Sequence, residues 1–297
     1  MCQTVKPYEV IVVDDASQEN MADVKTLCLR NNFRYIENET NIGLMKNCNN
    51  SIQKATGEYV TMLHNDDILS RFYVEEIQRA IEKHPNFNIY TTNGAGIDEK
   101  DRIIGEYRLF KKDTKIEELL GMKRLCASNY FSFFSLQGAT VYRTKFIKEN
   151  LFNADLENEA DLENSLRFLQ KQDIMYIDRP IYFTRIHNDQ VSYKNKATQE
   201  KLERYISNKI NIYRKYREAF KHVPDFMSKV KTLHLLQLTL KHKMNIKEVN
   251  RLLSIKSVRE FVAVCFLIPG QIMGELLKKL AFVCHRAHIN KYLNGTL

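Results

Sequence analysis

Glycine and proline are scarce in this chain of 297 residues, at Gly 10 and Pro 5, which excludes collagen-like and Pro/Gly-rich disordered architectures. Cysteine is sparse and scattered: Cys2, Cys28, Cys48, Cys126, Cys265 and Cys284 form no CxxC pair and no cluster. Neither a zinc ribbon nor a disulfide framework is indicated, and a reducing compartment fits. Long apolar runs are missing. The longest, residues 261–268 (FVAVCFLI), falls far short of the roughly 20 residues that a spanning helix needs. No basic segment followed by an apolar stretch precedes the first strand-like run, which argues against a secretory signal. Internal repeats and low-complexity segments are absent too. What remains, 44% hydrophobic and 27% charged residues, is a globular chain sized for one large domain or a domain with an appendage.

The formal charge of +9 is unevenly placed. Residues 1–193 carry 24 Lys and Arg against 29 Asp and Glu, and residues 194–297 carry the remaining 21 against 7. An acidic front part can hold a divalent cation, while a basic tail points to an anionic partner such as a membrane surface or nucleic acid. Two parts are expected, 1–193 and a basic helical region 194–297.

Along the chain, residues 8–13 (YEVIVV) are almost wholly apolar and β-branched, like a strand buried on both faces. The strand stops at Asp14-Asp15. The spacing of Met21, Val24, Leu27 and Cys28 predicts a helix over 20–31, and 33–36 (FRYI) is a second strand. A loop at Asn41-Ile42-Gly43 leads into a helix over 44–55, with Thr56-Gly57 as its stop and Gly57 suited to a left-handed position. The strand 58–63 (EYVTML) again runs into acid, at Asp66-Asp67, before a helix over 72–84 and a strand over 88–92. Residues 94–130 read as polar and irregular with a helix near 116–125, and 131–142 as an aromatic strand-like segment around Gly138. An acidic helix over 153–170 precedes short strands at 174–177 and 181–183, closed by Arg185-Ile186-His187. From Thr198 a run of helices is predicted over 198–221, 226–242, 246–253, 258–267 and 271–288.

Strand and helix in alternation predict an α/β fold, a mostly parallel sheet with helices on both faces. Both acidic pairs then fall at the carboxyl edge of the sheet, where open α/β folds bind ligands. A cation and phosphate site is expected there.

The runs EVIVVDDAS (9–17), NIGLMKNCNNSIQKATGEYVTMLHNDD (41–67), LQGATVYR (136–143), ADLENSLR (160–167) and YFTRIHNDQVS (182–192) together resemble, in order and spacing, the family 2 glycosyltransferases of the GT-A (Rossmann-like) fold. That resemblance covers about residues 3–192. It implies an inverting transfer from a nucleotide-sugar donor, with a divalent metal, Mn²⁺ or Mg²⁺, on the diphosphate. It also implies roles for individual positions. Asp15 matches the carboxylate that reads the nucleotide base, with Asp14 assisting; the alternative is that both cap the following helix. His64-Asn65-Asp66-Asp67 stands at the Asp-x-Asp signature, so Asp66 and Asp67 are the expected metal and diphosphate ligands. His64 stands where the signature's first Asp is commonest; as a ligand it favours Mn²⁺, and otherwise it is structural. Asp161 occupies the place of the catalytic base, although Ala160 precedes it and Glu159 or Glu163 is an alternative. His187 matches a late loop that reaches metal or diphosphate, Arg185 has a fork suited to a phosphate oxygen, and Gly138 borders the acceptor.

Departures from the family pattern set the alternatives. Cys48 stands where an Arg often precedes Asn49, and the family's usual first strand and helix are expected to be missing ahead of Gln3. The reading is therefore a glycosyltransferase acting on a glycan or lipid-linked acceptor, probed against a non-catalytic relative that serves as partner or scaffold. A receiver-like phosphoacceptor domain fits VVDD but neither the length nor the second acid pair. Helix 271–288 and FVAVCFLI are suited to an anionic membrane interface, or to packing and dimerisation. Nucleic acid is disfavoured because no binding motif accompanies the charge. The expected location is cytoplasmic, at the inner face of the membrane.

Overall fold

The computed structural model describes residues 2–106, 108–117, 137–156, 159–187, 190 and 198–220. In chain order these form β1 (Ile11–Asp14), α1 (Ala22–Arg30), β2 (Arg34–Glu37), α2 (Leu44–Lys54), β3 (Tyr59–Thr61), β4 (Ile68–Leu69), α3 (Tyr73–Lys83), β5 (Ile89–Ile97), β6 (Ile103–Glu106) and β7 (Thr114–Ile116). After a 3₁₀ turn at Gln137–Ala139 come β8 (Thr140–Arg143), α4 (Thr144–Glu149), α5 (Ala160–Leu169), β9 (Ile174–Arg185) and α6 (Gln199–Lys215). The helices predicted beyond residue 221, and most of the one near 116–125, lie outside the described residues.

Local chemistry sets the element ends. At the start of α6 the Thr198 hydroxyl accepts the Lys201 N–H at 3.3 Å, an N-cap of the usual kind. The end of α2 departs from expectation: the positive-φ glycine is Gly43, at φ 87, ahead of the helix, and Gly57 is not left-handed. Instead the Glu9 carboxylate accepts the N–H groups of Thr56 at 2.5 Å and Gly57 at 3.0 Å. A side chain from outside the helix satisfies the exit, so no left-handed residue is required there.

The α/β class stands, and the parallel character is corrected. Two ladders are parallel, β1 with β2 and β5 with β9, whereas β3–β8, β4–β9, β5–β6, β5–β8 and β7–β9 are antiparallel. A parallel pair needs a crossover, whereas β5 and β6 are joined by a short turn and pair antiparallel. Strand β5 continues past residue 92 to Ile97 and returns as β6 through a turn in which Asp98 O accepts the Asp101 N–H at 3.1 Å. The two short strands expected at 174–183 are one strand, β9, which runs through Pro180. Pro180 aligns with Asn93 where the register shifts, an irregularity that tolerates a residue without an N–H.

Helices cover both faces because alternate strand residues point to opposite sides. Tyr90, Val141, Met175 and Ile177 pack with Tyr73, Ile77 and Ala80 of α3. Their neighbours Ile89, Tyr142, Ile174 and Tyr176 pack on the other face with Ile52 of α2, Ile147 of α4, Leu166 and Phe168 of α5, and Tyr213 of α6. Each fully buried side chain of this size contributes about 1.5–3 kcal/mol. Helix α6, the first of the basic region, thus shares the core of the sheet. Its successor Tyr216 donates a 2.5 Å hydrogen bond to buried Glu163, which Arg167 also meets at 3.2 Å.

Strands β1 and β2 form a pair of their own, and β1 ends at Asp14. Tyr35 donates its hydroxyl to Asp14 Oδ2 at 2.6 Å, and the Ser17 N–H reaches Oδ1 at 3.0 Å. Hydrogen bonds from Ser17 and Tyr35 hold the Asp14 carboxyl below its ordinary 3.8, against the opposing effect of burial. Because the folded pKa is depressed, the stabilisation is complete above 3.8 and is lost as the pH falls through the lowered value. Tyr35→Phe is expected to lower stability at pH 7 by about 1.5–3 kcal/mol, the range for a hydrogen bond to a charged group. Urea unfolding at a series of pH values checks this: the gap from the unaltered protein should close as the pH drops below 3.8.

Candidate active site

The acid-rich turn at 64–67 links β3 to β4. Its residues His-Asn-Asp-Asp are turn formers, and the Asp67 N–H closes onto His64 O at 3.3 Å. Strand β4 then pairs with β9, Ile68 opposite Phe183 and Leu69 opposite Tyr182. That register brings the end of β9 against the turn. The Asp67 carboxylate accepts the Tyr182 hydroxyl on Oδ2 and the Arg185 N–H on Oδ1 at 3.0 Å, while Asp66 Oδ2 lies 3.1 Å from His187 Nε2.

Burial pushes the Asp67 carboxyl up and the Asp66 charge adds to this, while the bonds from Tyr182 and Arg185 and the nearby His64 oppose it. Asp66 and His187 are more open, with side chains 28% and 21% exposed. Among the described residues no three His, Cys, Asp or Glu side chains form a group that could hold a metal by themselves. One carboxylate oxygen beside one imidazole nitrogen is a partial donor set. It fits a divalent ion that takes its other ligands from phosphate oxygens and water, as Mg²⁺ does, and the imidazole suits Mn²⁺ as well.

The structure brings Asp66, Asp67 and His187 together, with His64 at the start of the same turn. Arg185 is there too, and its guanidinium donates to Asp66 O at 3.1 Å, Asp98 O at 2.9 Å and Asp101 Oδ1 at 2.6 Å. These bonds make Arg185 a strap between the acidic turn and the β5–β6 turn. Asp98 and Asp101 carried no signal in the sequence that tied them to the site.

Asp14 and Asp15 form a second centre. Asp15 Oδ1 accepts from Asn38 Nδ2 at 2.8 Å and the Ile42 N–H at 2.9 Å, and Oδ2 from the Gly43 N–H at 3.0 Å. Asp15 therefore anchors the loop before α2, where positive-φ Gly43 turns its N–H inward. Neither acid caps α1; Asn20 accepts the Ala22 N–H there, at 3.0 Å.

Gly138 holds the place of a ring. A Cβ on it would lie 2.3 Å from Tyr182 Cε2, and Tyr73 donates to its carbonyl at 2.9 Å. Asp161 stands in the first turn of α5 and bears electrostatically on Tyr142, whose hydroxyl burial and that charge push up. The rival acids face α6: Glu159 accepts from Asn208 at 3.4 Å, and Glu163 is bound by Tyr216. Cys48 is a core residue, and Asn49 clasps the backbone of Phe152 through two bonds of 2.9 Å.

Comparison with known proteins bears on the family and the fold. The family model for glycosyl transferase family 2 matches residues 2–149, about half of the chain. Glycosyltransferase GlyA of Streptococcus pneumoniae serotype 4 is 23% identical over 197 residues, covering 64% of this chain and 28% of the relative. Glycosyltransferase GlyG of the same organism is 26% identical over 170 residues, covering 56% of this chain and 54% of the relative. The chain thus spans about half or less of the length of these relatives. Among solved structures, S. aureus TarS 1-349 superposes with a TM-score of 0.59 at 18% identity, over 99% of this chain and 83% of that one. The same fragment in complex with UDP gives 0.58 at 17% identity, with the same coverage. On the matched family model, the named relatives and a shared GT-A fold, this chain belongs to glycosyl transferase family 2.

Proposed function

We propose that this chain transfers a sugar, with inversion, from a UDP-sugar to a hydroxyl of a glycan or lipid-linked acceptor. One observation carries the reading: a half-open Asp66–His187 pair, held by the end of β9 on a turn at the edge of the sheet. The solved relative in complex with UDP supports the choice of nucleotide. Asp66 and His187 would hold a divalent ion, and such an ion, when bound, offsets the charge that builds on the departing diphosphate.

The remaining chemistry falls to this chain's own groups. Asp161 takes the proton from the acceptor hydroxyl as its oxygen attacks the anomeric carbon. The new carbon–oxygen bond forms on one face while the bond to the diphosphate oxygen breaks on the other, and UDP leaves with that electron pair. The turning of Glu159 and Glu163 toward α6 favours Asp161 for this role. Basic residues after 194 suit an anionic surface near a lipid-linked acceptor; among the described residues no helix is long and apolar enough to cross a membrane.

Calorimetric titration with UDP, with and without Mn²⁺, tests the reading. Binding should require the metal and should be lost in Asp66→Ala. Metal-independent UDP binding, or full binding by that variant, would count against the assignment, and tight binding of GDP instead would redirect the donor. Asp161→Asn keeps the shape and removes the basicity, so turnover should drop by about 10²–10⁴-fold, the usual worth of a general base. UDP and Mn²⁺ affinity should stay as in the unaltered protein, and near-normal turnover would remove Asp161 from the role.

A further inference from the structure

We propose that Tyr182 is the positioning residue of the metal site, acting through Asp67, and that Gly94 and Gly138 are glycines so that its ring can reach that carboxylate. The inference rests on the transferase reading above and adds to it a residue that the acidic signature does not contain.

Three observations converge on Tyr182. Its hydroxyl donates to Asp67 Oδ2, although the side chain is 2% exposed and comes from a strand 115 residues further along. Its backbone pairs with Leu69 just past the turn, and with Gly94 on the other side. Its ring and carbonyl fill the space that two side chains would otherwise take. A Cβ at residue 138 would lie 2.3 Å from Cε2 and 2.8 Å from Cδ2, and one at residue 94 would lie 2.6 Å from the Tyr182 carbonyl oxygen. Real Cβ atoms do not approach so closely. An aromatic ring fixed in a strand is not the loose end of a flexible side chain, so it cannot swing aside cheaply.

The far wall of the slot is also fixed. Tyr73 donates to Gly138 O at 2.9 Å, and its hydroxyl lies 3.1 Å from Thr61 Oγ1, which in turn donates to Thr140 O at 3.0 Å. Residue 138 is thus held from behind while the Tyr182 ring leans on it from the front. The ring has one place to lie, and in that place its hydroxyl meets Asp67.

Asp67 is where a second donor matters. The Arg185 N–H takes Oδ1, and one bond alone leaves a carboxylate free to rotate about its χ2. With Tyr182 on Oδ2 the plane of the group is set, and with it the direction in which Asp66 leaves the turn toward His187. Groups that hold a ligand or its neighbour in this way typically control metal affinity by about 10–100-fold.

The test is Mn²⁺ binding followed by electron paramagnetic resonance, in the presence of UDP, for the unaltered chain, Tyr182→Phe, Asp67→Asn and the double variant. Tyr182→Phe keeps the ring in its slot and deletes only the hydroxyl, so the fold is retained. Its Mn²⁺ affinity should fall by about 10–100-fold, and the double variant should bind no more weakly than Asp67→Asn alone, because Tyr182 works through that carboxylate. Gly138→Ala, which displaces the ring and leaves the hydroxyl chemically intact, should weaken Mn²⁺ in the same direction. Unchanged Mn²⁺ affinity in Tyr182→Phe overturns the inference and leaves the transferase reading standing. So do losses that add in the double variant, which mark a general structural role. An unaltered chain that binds no Mn²⁺ overturns both.

Discussion

Two adjacent carboxylates on one short turn repel each other, and the site exists because the end of β9 removes that conflict for one of them. Asp67 is turned inward and given two donors, Tyr182 and the Arg185 N–H. Asp66 is left half-open beside His187. The pair is thus divided into an inner acid that holds the turn and an outer acid that can meet a ligand. Everything that fixes β9 feeds this division: its long parallel ladder with β5, its antiparallel pairing with β4, and the Arg185 strap to the β5–β6 turn. Geometry here is set by backbone pairing, which is harder to disturb than a set of surface side chains.

Much of the front half was legible in the sequence because its signals are local. The β-branched run at 8–13, the helical spacing at 20–31 and the helix at 44–55 each contain within a dozen residues the information that decides them. The mixed sheet was not legible, because pairing partners lie far apart: β3 pairs with β8 across about 80 residues and β4 with β9 across more than 110. The strand-like runs at 174–177 and 181–183 were visible, but not their union through Pro180 into one strand. Pro180 is accommodated only because Asn93 on the neighbouring strand supplies a register shift.

The first helix of the basic region is joined to the sheet more closely than its charge suggests. Helix α6 belongs by charge to the basic region and by packing to the sheet, since Ile212, Tyr213 and Tyr216 lie in the same core as α2 and α5. Glu163 shows what this costs and gains. A carboxylate so deeply buried is unfavourable alone, and here it is met by Arg167 from its own helix and by Tyr216 from beyond α6. Those bonds fix which face of α5 turns toward α6.

The two Asp-Asp pairs are the clearest measure of what a motif can say. Both follow a strand, both sit at the edge of the sheet, and as sequence they are equivalent. What separates them is the source of their donors. Asp14 and Asp15 are met by groups from residues 17 to 43, and every carboxylate oxygen of that pair accepts at least one bond. Asp66 and Asp67 are met by residues 182 to 187, and Asp66 Oδ2 lies 3.1 Å from the imidazole Nε2 of His187. The first pair is tied to its own loop by backbone N–H groups, a side-chain amide and a tyrosine, whereas the outer acid of the second stands beside a histidine. The difference lies in three-dimensional neighbours, so spacing and residue type alone leave the pairs alike.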